Sequence, residues 1–130
     1  MHQKTIEEAK KRLFNGQLVI FPTETVYGIG ANANNHQSVR SIYQIKQRPV
    51  SNPLICHFAN IKEIEKNVIL NYKDYELANT FWPGPLTLIL EKKKNSKISP
   101  LVSNNLNLIG CRIPSNKISL NLLSLLDFPI

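Results

Sequence analysis

The sequence predicts an α/β fold built around one sheet, and two observations carry that expectation. Short apolar runs of strand length, such as Leu18-Val19-Ile20-Phe21 and Leu86-Thr87-Leu88-Ile89-Leu90, alternate with segments whose apolar residues recur at helical spacing. The 130-residue length, with 42% hydrophobic and 19% charged residues, suits one globular domain over residues 1–130.

Each element has a local reason. Thr5-Ile6-Glu7-Glu8 has the pattern of a capping box, and Ile6, Ala9 and Leu13 follow at helical spacing until Gly16, so the first helix is expected to start at Thr5. Leu18 to Phe21, closed by Pro22, reads as a buried strand. Thr23 to Asn35 is a polar stretch of small residues. Val39, Ile42 and Tyr43 mark one face of a second helix, which ends before Pro49. Pro53 to Phe58 is a strand, and Asn60 with Glu63 caps a third helix carrying Ile61, Ile64 and Val68.

Tyr75, Ala78 and Phe81 mark a fourth helix, halted at Pro83-Gly84. Leu86 to Leu90 is a strand, and Lys92-Lys93-Lys94-Asn95 is a solvated turn. Ser99-Pro100 opens a short helix, with proline tolerated in the first turn. Leu106 to Ile113 is a strand, and Leu120, Leu122, Leu123, Leu125 and Leu126 mark a last helix. Asp127-Phe128-Pro129-Ile130 reads as the entry to a further strand, with apolar surface left without a partner.

Composition narrows the function. Sixteen basic against nine acidic residues give a net charge of +7, which points to an anionic partner: nucleic acid, nucleotide or phosphate. No apolar run approaches the ~20 residues of a membrane span. The charged N-terminal pattern has no signal-peptide core, so a cytoplasmic location without a membrane partner is expected. Cys56 and Cys111 lie in apolar strand-like runs outside any C-x-x-C pair and read as buried, inert thiols. His2, His36 and His57 lack metal-ligand spacing, so no metal centre is expected.

Four constellations can carry chemistry. Phe21-Pro22-Thr23-Glu24-Thr25-Val26-Tyr27-Gly28-Ile29-Gly30 puts hydroxyls, a carboxylate and two glycines directly after a strand. An α/β ligand crevice needs that arrangement, although a plain strand-to-loop turn fits the residues equally well. Lys46-Gln47-Arg48-Pro49-Val50-Ser51-Asn52-Pro53-Leu54 sets two cations at a helix end between prolines. Arg48 can grip phosphate oxygens bidentately and Lys46 is a compact charge, while either cation can instead serve the helix dipole.

His57, three residues past Leu54, shares a sheet face with Ile55; it is either a satisfied core histidine or a ligand. In Phe81-Trp82-Pro83-Gly84-Pro85-Leu86-Thr87, Trp82 either seals the core or stacks on a base. In Gly110-Cys111-Arg112-Ile113-Pro114, Arg112 is a charge inside an apolar strand and must be exposed or paired; a ligand carboxylate or phosphate would pair it.

In this order and spacing, Pro-Thr-Glu-Thr-Val-Tyr-Gly, Lys-x-Arg-Pro-x-x-x-Pro-Leu, Trp-Pro-Gly-Pro-Leu-Thr and Gly-x-Arg-x-Pro resemble the YrdC/Sua5 family of threonylcarbamoyl-AMP synthases, from about Thr5 to Ile130. The resemblance implies a twisted, open, mixed α/β sheet with flanking helices and a basic concave cavity. It implies an enzyme that makes L-threonylcarbamoyl-adenylate and pyrophosphate from L-threonine, bicarbonate and ATP. The product would feed modification of adenosine 37 of tRNA through downstream threonylcarbamoyl-transfer proteins.

By matched position, Lys46 and Arg48 would be the catalytic pair at the nucleotide, and Asn52 a further ATP contact. Thr25, His57 and Arg112 would contact L-threonine, Arg112 through the carboxylate. Magnesium would arrive with ATP, held by phosphates and water, and there is no tightly bound cofactor. Family members continue into a Ser-x-Asn motif that this sequence does not reach, and Leu108 replaces a hydroxyl residue found in some relatives. The fold is therefore expected to be incomplete at its C-terminus. The alternative expectation is a truncated, impaired relative that binds RNA or nucleotide, double-stranded RNA included.

Overall fold

The computed structural model describes residues 3–22 and 27–130. Helix α1 (Gln3–Phe14) leads into strand β1 (Val19–Pro22), which forms an antiparallel hairpin with β2 (Tyr27–Gly30). Helix α2 (His36–Lys46) is followed by β3 (Ile55–His57), α3 (Ile61–Glu65), β4 (Val68–Ile69) and α4 (Tyr72–Phe81). Then come β5 (Leu88–Lys92), a 3₁₀ turn (Pro100–Ser103), β6 (Leu108–Arg112) and α5 (Lys117–Ser124).

The described strands form two sheets where one was expected: the β1-β2 hairpin, and a mixed four-stranded sheet in the order β3-β6-β5-β4. In the latter β3 runs parallel to β6, and the other pairings are antiparallel. One face of this sheet is apolar and closed. Cys56, Leu88, Leu90, Ile109 and Cys111 are buried there with Val39 and Tyr43 of α2, Ala78 of α4, and Trp82. A second core joins Ile6, Ala9 and Leu13 of α1, Val19 and Phe21 of β1, and Leu122 and Leu123 of α5.

Several expected boundaries move for identifiable reasons. Helix α1 begins at Gln3, so Thr5 lies inside it; Gln3 and Lys4 are good helix formers and carry the helix upstream. Part of the polar stretch after Pro22 is strand β2, because Tyr27 to Gly30 pair residue by residue with Pro22 to Val19. The Asn60 cap is present, its side chain accepting from the Glu63 amide at 3.0 Å. Val68 is nonetheless in strand β4: Asn67 caps the Glu63 carbonyl at 3.1 Å, and the β-branched Val68-Ile69 pair takes Lys92 and Glu91 as partners.

Strand β5 starts at Leu88, later than Leu86, whose carbonyl accepts the Trp82 indole N–H at 2.7 Å. That bond and 9% exposure make Trp82 a seal of the core. The C-terminal apolar residues are not left bare, as Leu126, Phe128 and Ile130 are buried in the second core. Ile130 exchanges backbone hydrogen bonds with His57, at 2.6 and 3.2 Å, and the Pro129 carbonyl accepts from Ala33 N–H at 2.9 Å. These residues bridge the hairpin core to the edge of β3.

Gly30 shows how tightly the hairpin is packed. A Cβ there would lie 2.7 Å from the ring of Phe21, which is itself buried and meets His57 edge-on with centroids 5.6 Å apart. Gly30→Ala is therefore expected to destabilise the fold by about 1–3 kcal/mol through overpacking. Urea unfolding at neutral pH would measure it, and an unchanged midpoint would show that Phe21 yields freely.

Candidate functional site

The open face of the four-stranded sheet carries the residues that the closed face excludes. Side chains alternate along each strand, so burying Cys56, Ile109 and Cys111 sends Ile55, His57, Leu108, Gly110 and Arg112 to the other side. The register pairs Ile55 with Gly110, Cys56 with Cys111, and His57 with Arg112. Both thiols are free, and burial pushes the Cys56 thiol up to about 12 and Cys111 further still. They are inert packing groups, as expected.

A cavity of about 250 Å³ lies between β2, α2 and β3. Its wall is mainly apolar, with Phe21, Val39, Ile42, Leu54 and Ile130 among the lining residues, and the charged groups on it are Lys46 and Arg48. His57 also lines it. Three of the expected site residues, Lys46, Arg48 and His57, therefore converge on one space. The glycine-rich segment contributes Gly28, Ile29 and Gly30 to the wall.

Lys46 ends α2, and Gln47 follows in the left-handed region with φ of 51°. The Gln47 and Arg48 amides occupy the last helix carbonyls, with Arg48 N–H 2.9 Å from the Tyr43 carbonyl. The Arg48 guanidinium is thus not spent on capping. Its Nε donates to the Asn52 carbonyl at 3.2 Å and its Nη2 to the Pro53 carbonyl at 2.7 Å. Asn52 lies outside the cavity wall and takes part through this carbonyl.

His57 is mostly buried, and its Nε2 is enclosed without a hydrogen-bond partner. Burial lowers its pKa below the usual 6.5, and a hydrogen bond to the Ile130 backbone partly offsets that. The lowered pKa leaves the ring neutral at pH 7. Nε2 is left as an acceptor for a hydroxyl or amine.

Arg112 stands beside His57 in the register without lining the cavity; its Nε donates to the Gly84 carbonyl at 2.9 Å. Gly84 N–H in turn donates to the Ile113 carbonyl at 2.8 Å, so the Pro-Gly-Pro turn is fastened to the end of β6. Partial burial lowers the Arg112 pKa, although the guanidinium stays charged at any working pH. Thr25 lies outside the described residues. Helical spacing marked Tyr43 as core and did not show that its hydroxyl lies 3.0 Å from the Asn52 carbonyl that Arg48 also binds.

A family model for Sua5, YciO and YrdC proteins, described as "Telomere recombination", matches residues 11–130. The chain belongs to this family. It is 42% identical over 135 residues to the threonylcarbamoyl-AMP synthase of Pyrococcus abyssi, an alignment covering 98% of this chain and 39% of that protein. The threonylcarbamoyl-AMP synthase of Bacillus subtilis is 42% identical over 126 residues, covering 96% and 36%. The chain thus spans about four-tenths of the length of these curated relatives.

The fold agrees with the Sua5/YrdC pattern of a mixed sheet with flanking helices. It superposes on P. abyssi Sua5 complexed with L-threonine with a TM-score of 0.91 at 38% identity, covering 99% of this chain and 38% of that one. For Escherichia coli YciO the TM-score is 0.87 at 25% identity, covering 98% and 62%. Among the described residues, no helix is long and apolar enough to cross a membrane.

The lowered His57 pKa has a thermodynamic consequence. Below pH 6.5 the unfolded chain binds a proton at this position that the native chain resists, so stability falls as pH drops from 6.5 toward the lower native pKa. His57→Gln is expected to remove that part of the slope, read as melting temperature against pH. An identical slope in the variant would show that the histidine charges freely in the fold.

Proposed function

We propose that this chain carries the nucleotide and amino-acid sites of an L-threonylcarbamoyladenylate synthase. The observation that carries this reading is the convergence of Lys46, Arg48 and His57 on one mainly apolar cavity, in a fold superposing on a Sua5 complexed with L-threonine. In the proposed reaction the threonine amine condenses with bicarbonate, releasing water. The carbamate oxygen then attacks the α-phosphorus of ATP and pyrophosphate leaves. The product would serve threonylcarbamoyl transfer to adenosine 37 of tRNA, with the synthase working in the cytoplasm.

The chemistry asks the protein for orientation and charge neutralisation rather than a nucleophile. Lys46 and Arg48 would neutralise the phosphates, Arg48 with planar bidentate geometry. Arg112 would take the threonine carboxylate, and His57 Nε2 would accept from the amino acid's hydroxyl or amine. Asn52 would be a further nucleotide contact, and Thr25 a further threonine contact. Among the described residues the cavity wall includes no Asp or Glu; magnesium would travel with the phosphates and water.

The test combines the chain with ATP, magnesium, L-threonine and bicarbonate and follows pyrophosphate release, with calorimetric binding of ATP and L-threonine alongside. Threonine-dependent release is expected, falling roughly 10–100-fold in Lys46→Ala, the usual range for losing a charged hydrogen bond. Arg112→Ala is expected to weaken L-threonine binding by roughly the same factor while leaving ATP binding in place. Failure of the wild-type chain to bind either substrate would overturn the reading. So would release that ignores threonine.

A further inference from the structure

Tyr43 does more than fill the core. It is only 3% exposed, yet its hydroxyl reaches two carbonyls, 3.0 Å from that of Asn52 and 2.8 Å from that of Leu101. A phenol has one proton and burial raises its pKa, so the group is a neutral donor that serves one carbonyl at a time. The Asn52 carbonyl has a second donor, Arg48 Nε at 3.2 Å. Arg48 is therefore the one cavity cation anchored to the loop over residues 49–53, and Tyr43 holds the same loop from beneath.

Both Arg48 anchors are backbone carbonyls, held through the Nε and Nη2 edge of the guanidinium. Turning that edge toward an anion takes Arg48 away from the Asn52 and Pro53 carbonyls, both on exposed residues, so the loop loses a fastening that another donor must supply. The Tyr43 hydroxyl is the donor already in reach. Leu101, which it would give up, ends in the 3₁₀ turn whose residues accept other amides, Leu101 O taking Asn104 N–H.

We propose that Tyr43 is a positioning residue for the anion side of the cavity: its hydroxyl holds the Asn52 carbonyl while Arg48 turns from that carbonyl to a phosphate oxygen. This rests on the reading that the cavity takes the phosphates of a nucleotide. It adds a residue whose ring touches neither substrate and whose role is to keep the loop in place as the arginine lets go. The Tyr43 hydroxyl reaches the Asn52 and Leu101 carbonyls, both on the Arg48 side, so the effect is expected on the anion.

Tyr43→Phe keeps the ring and removes the hydroxyl. Calorimetry with inorganic tripolyphosphate is expected to show roughly tenfold weaker binding in the variant, with the L-threonine affinity unmoved. Hydrogen exchange is expected to show the Asn52 and Leu54 amides, bonded to the Pro49 and Val102 carbonyls at 2.9 Å each, exchanging faster in the variant. Unchanged tripolyphosphate affinity in a variant that melts like the wild type overturns the proposal, as does parallel weakening of both ligands.

The wild-type chain supplies a check that needs no variant to fold. Saturating tripolyphosphate is expected to leave the Asn52 and Leu54 amides protected, and their deprotection would show that nothing holds the loop once Arg48 turns. A wild-type chain that binds L-threonine but no tripolyphosphate refutes the nucleotide reading and the phosphate step together. The exchange comparison then still decides whether Tyr43 fastens the loop.

Discussion

The parallel pairing of β3 with β6 sets the chemistry of this molecule. Cys56 sits opposite Cys111, and both are buried against α2, α4 and Trp82. Because side chains alternate, that one apolar contact forces His57 and Arg112 side by side onto the open face. A slip of one residue would turn the Arg112 guanidinium into the apolar core and two thiols out of it, at a cost of several kcal/mol for the buried charge. The Ile130–His57 backbone pair then fixes the outer edge of β3 and joins the two cores at the histidine itself.

Much of this was legible in the sequence because it is local. Asn60 followed by Glu63, Pro83-Gly84, and the Leu88–Leu90 run each dictate their own structure within a few residues. What escaped was non-local. Tyr27 to Gly30 look like a glycine-rich loop until Phe21 is seen lying over Gly30. Leu126, Phe128 and Ile130 look partnerless until α1 and β1 close over them. Val68 follows the helical spacing of Ile61 and Ile64, yet only pairing with Lys92 makes it a strand. Lys46, Arg48 and His57 were read as site residues one by one, and their convergence needed the fold. Tyr43 was hidden by its periodicity, which reports burial and says nothing of where a hydroxyl points.

The electrostatics follow from what the cavity cations are not given. Ion pairs among the described residues, Arg12 with Glu8 at 4.0 Å and Lys66 with Glu63 at 2.8 Å, are exposed contacts along helices. Such pairs contribute about 0–1 kcal/mol each and lie away from the cavity. Among the described lining residues the charged groups are Lys46 and Arg48. They stand in a partly apolar setting, where charge interactions are stronger than in water. His57 stays neutral beside Arg112, which avoids a like-charge pair at the centre of the site.

The choice of partner for Arg48 then matters more than its charge. A carboxylate would hold the guanidinium with a charge-assisted, bidentate pair that an incoming phosphate must displace on equal terms. The carbonyls of Asn52 and Pro53 fix its direction at 3.2 and 2.7 Å and are neutral acceptors. Exchanging neutral acceptors for phosphate oxygens gains electrostatic energy, and what is given up is the fastening of the loop at the exposed Asn52 and Pro53 carbonyls. The Tyr43 hydroxyl, 3.0 Å from the Asn52 carbonyl, keeps one of those fastenings. An arginine preoriented by neutral acceptors, backed by a neutral phenol, is thus better suited to gripping and releasing phosphates than an arginine locked in an ion pair.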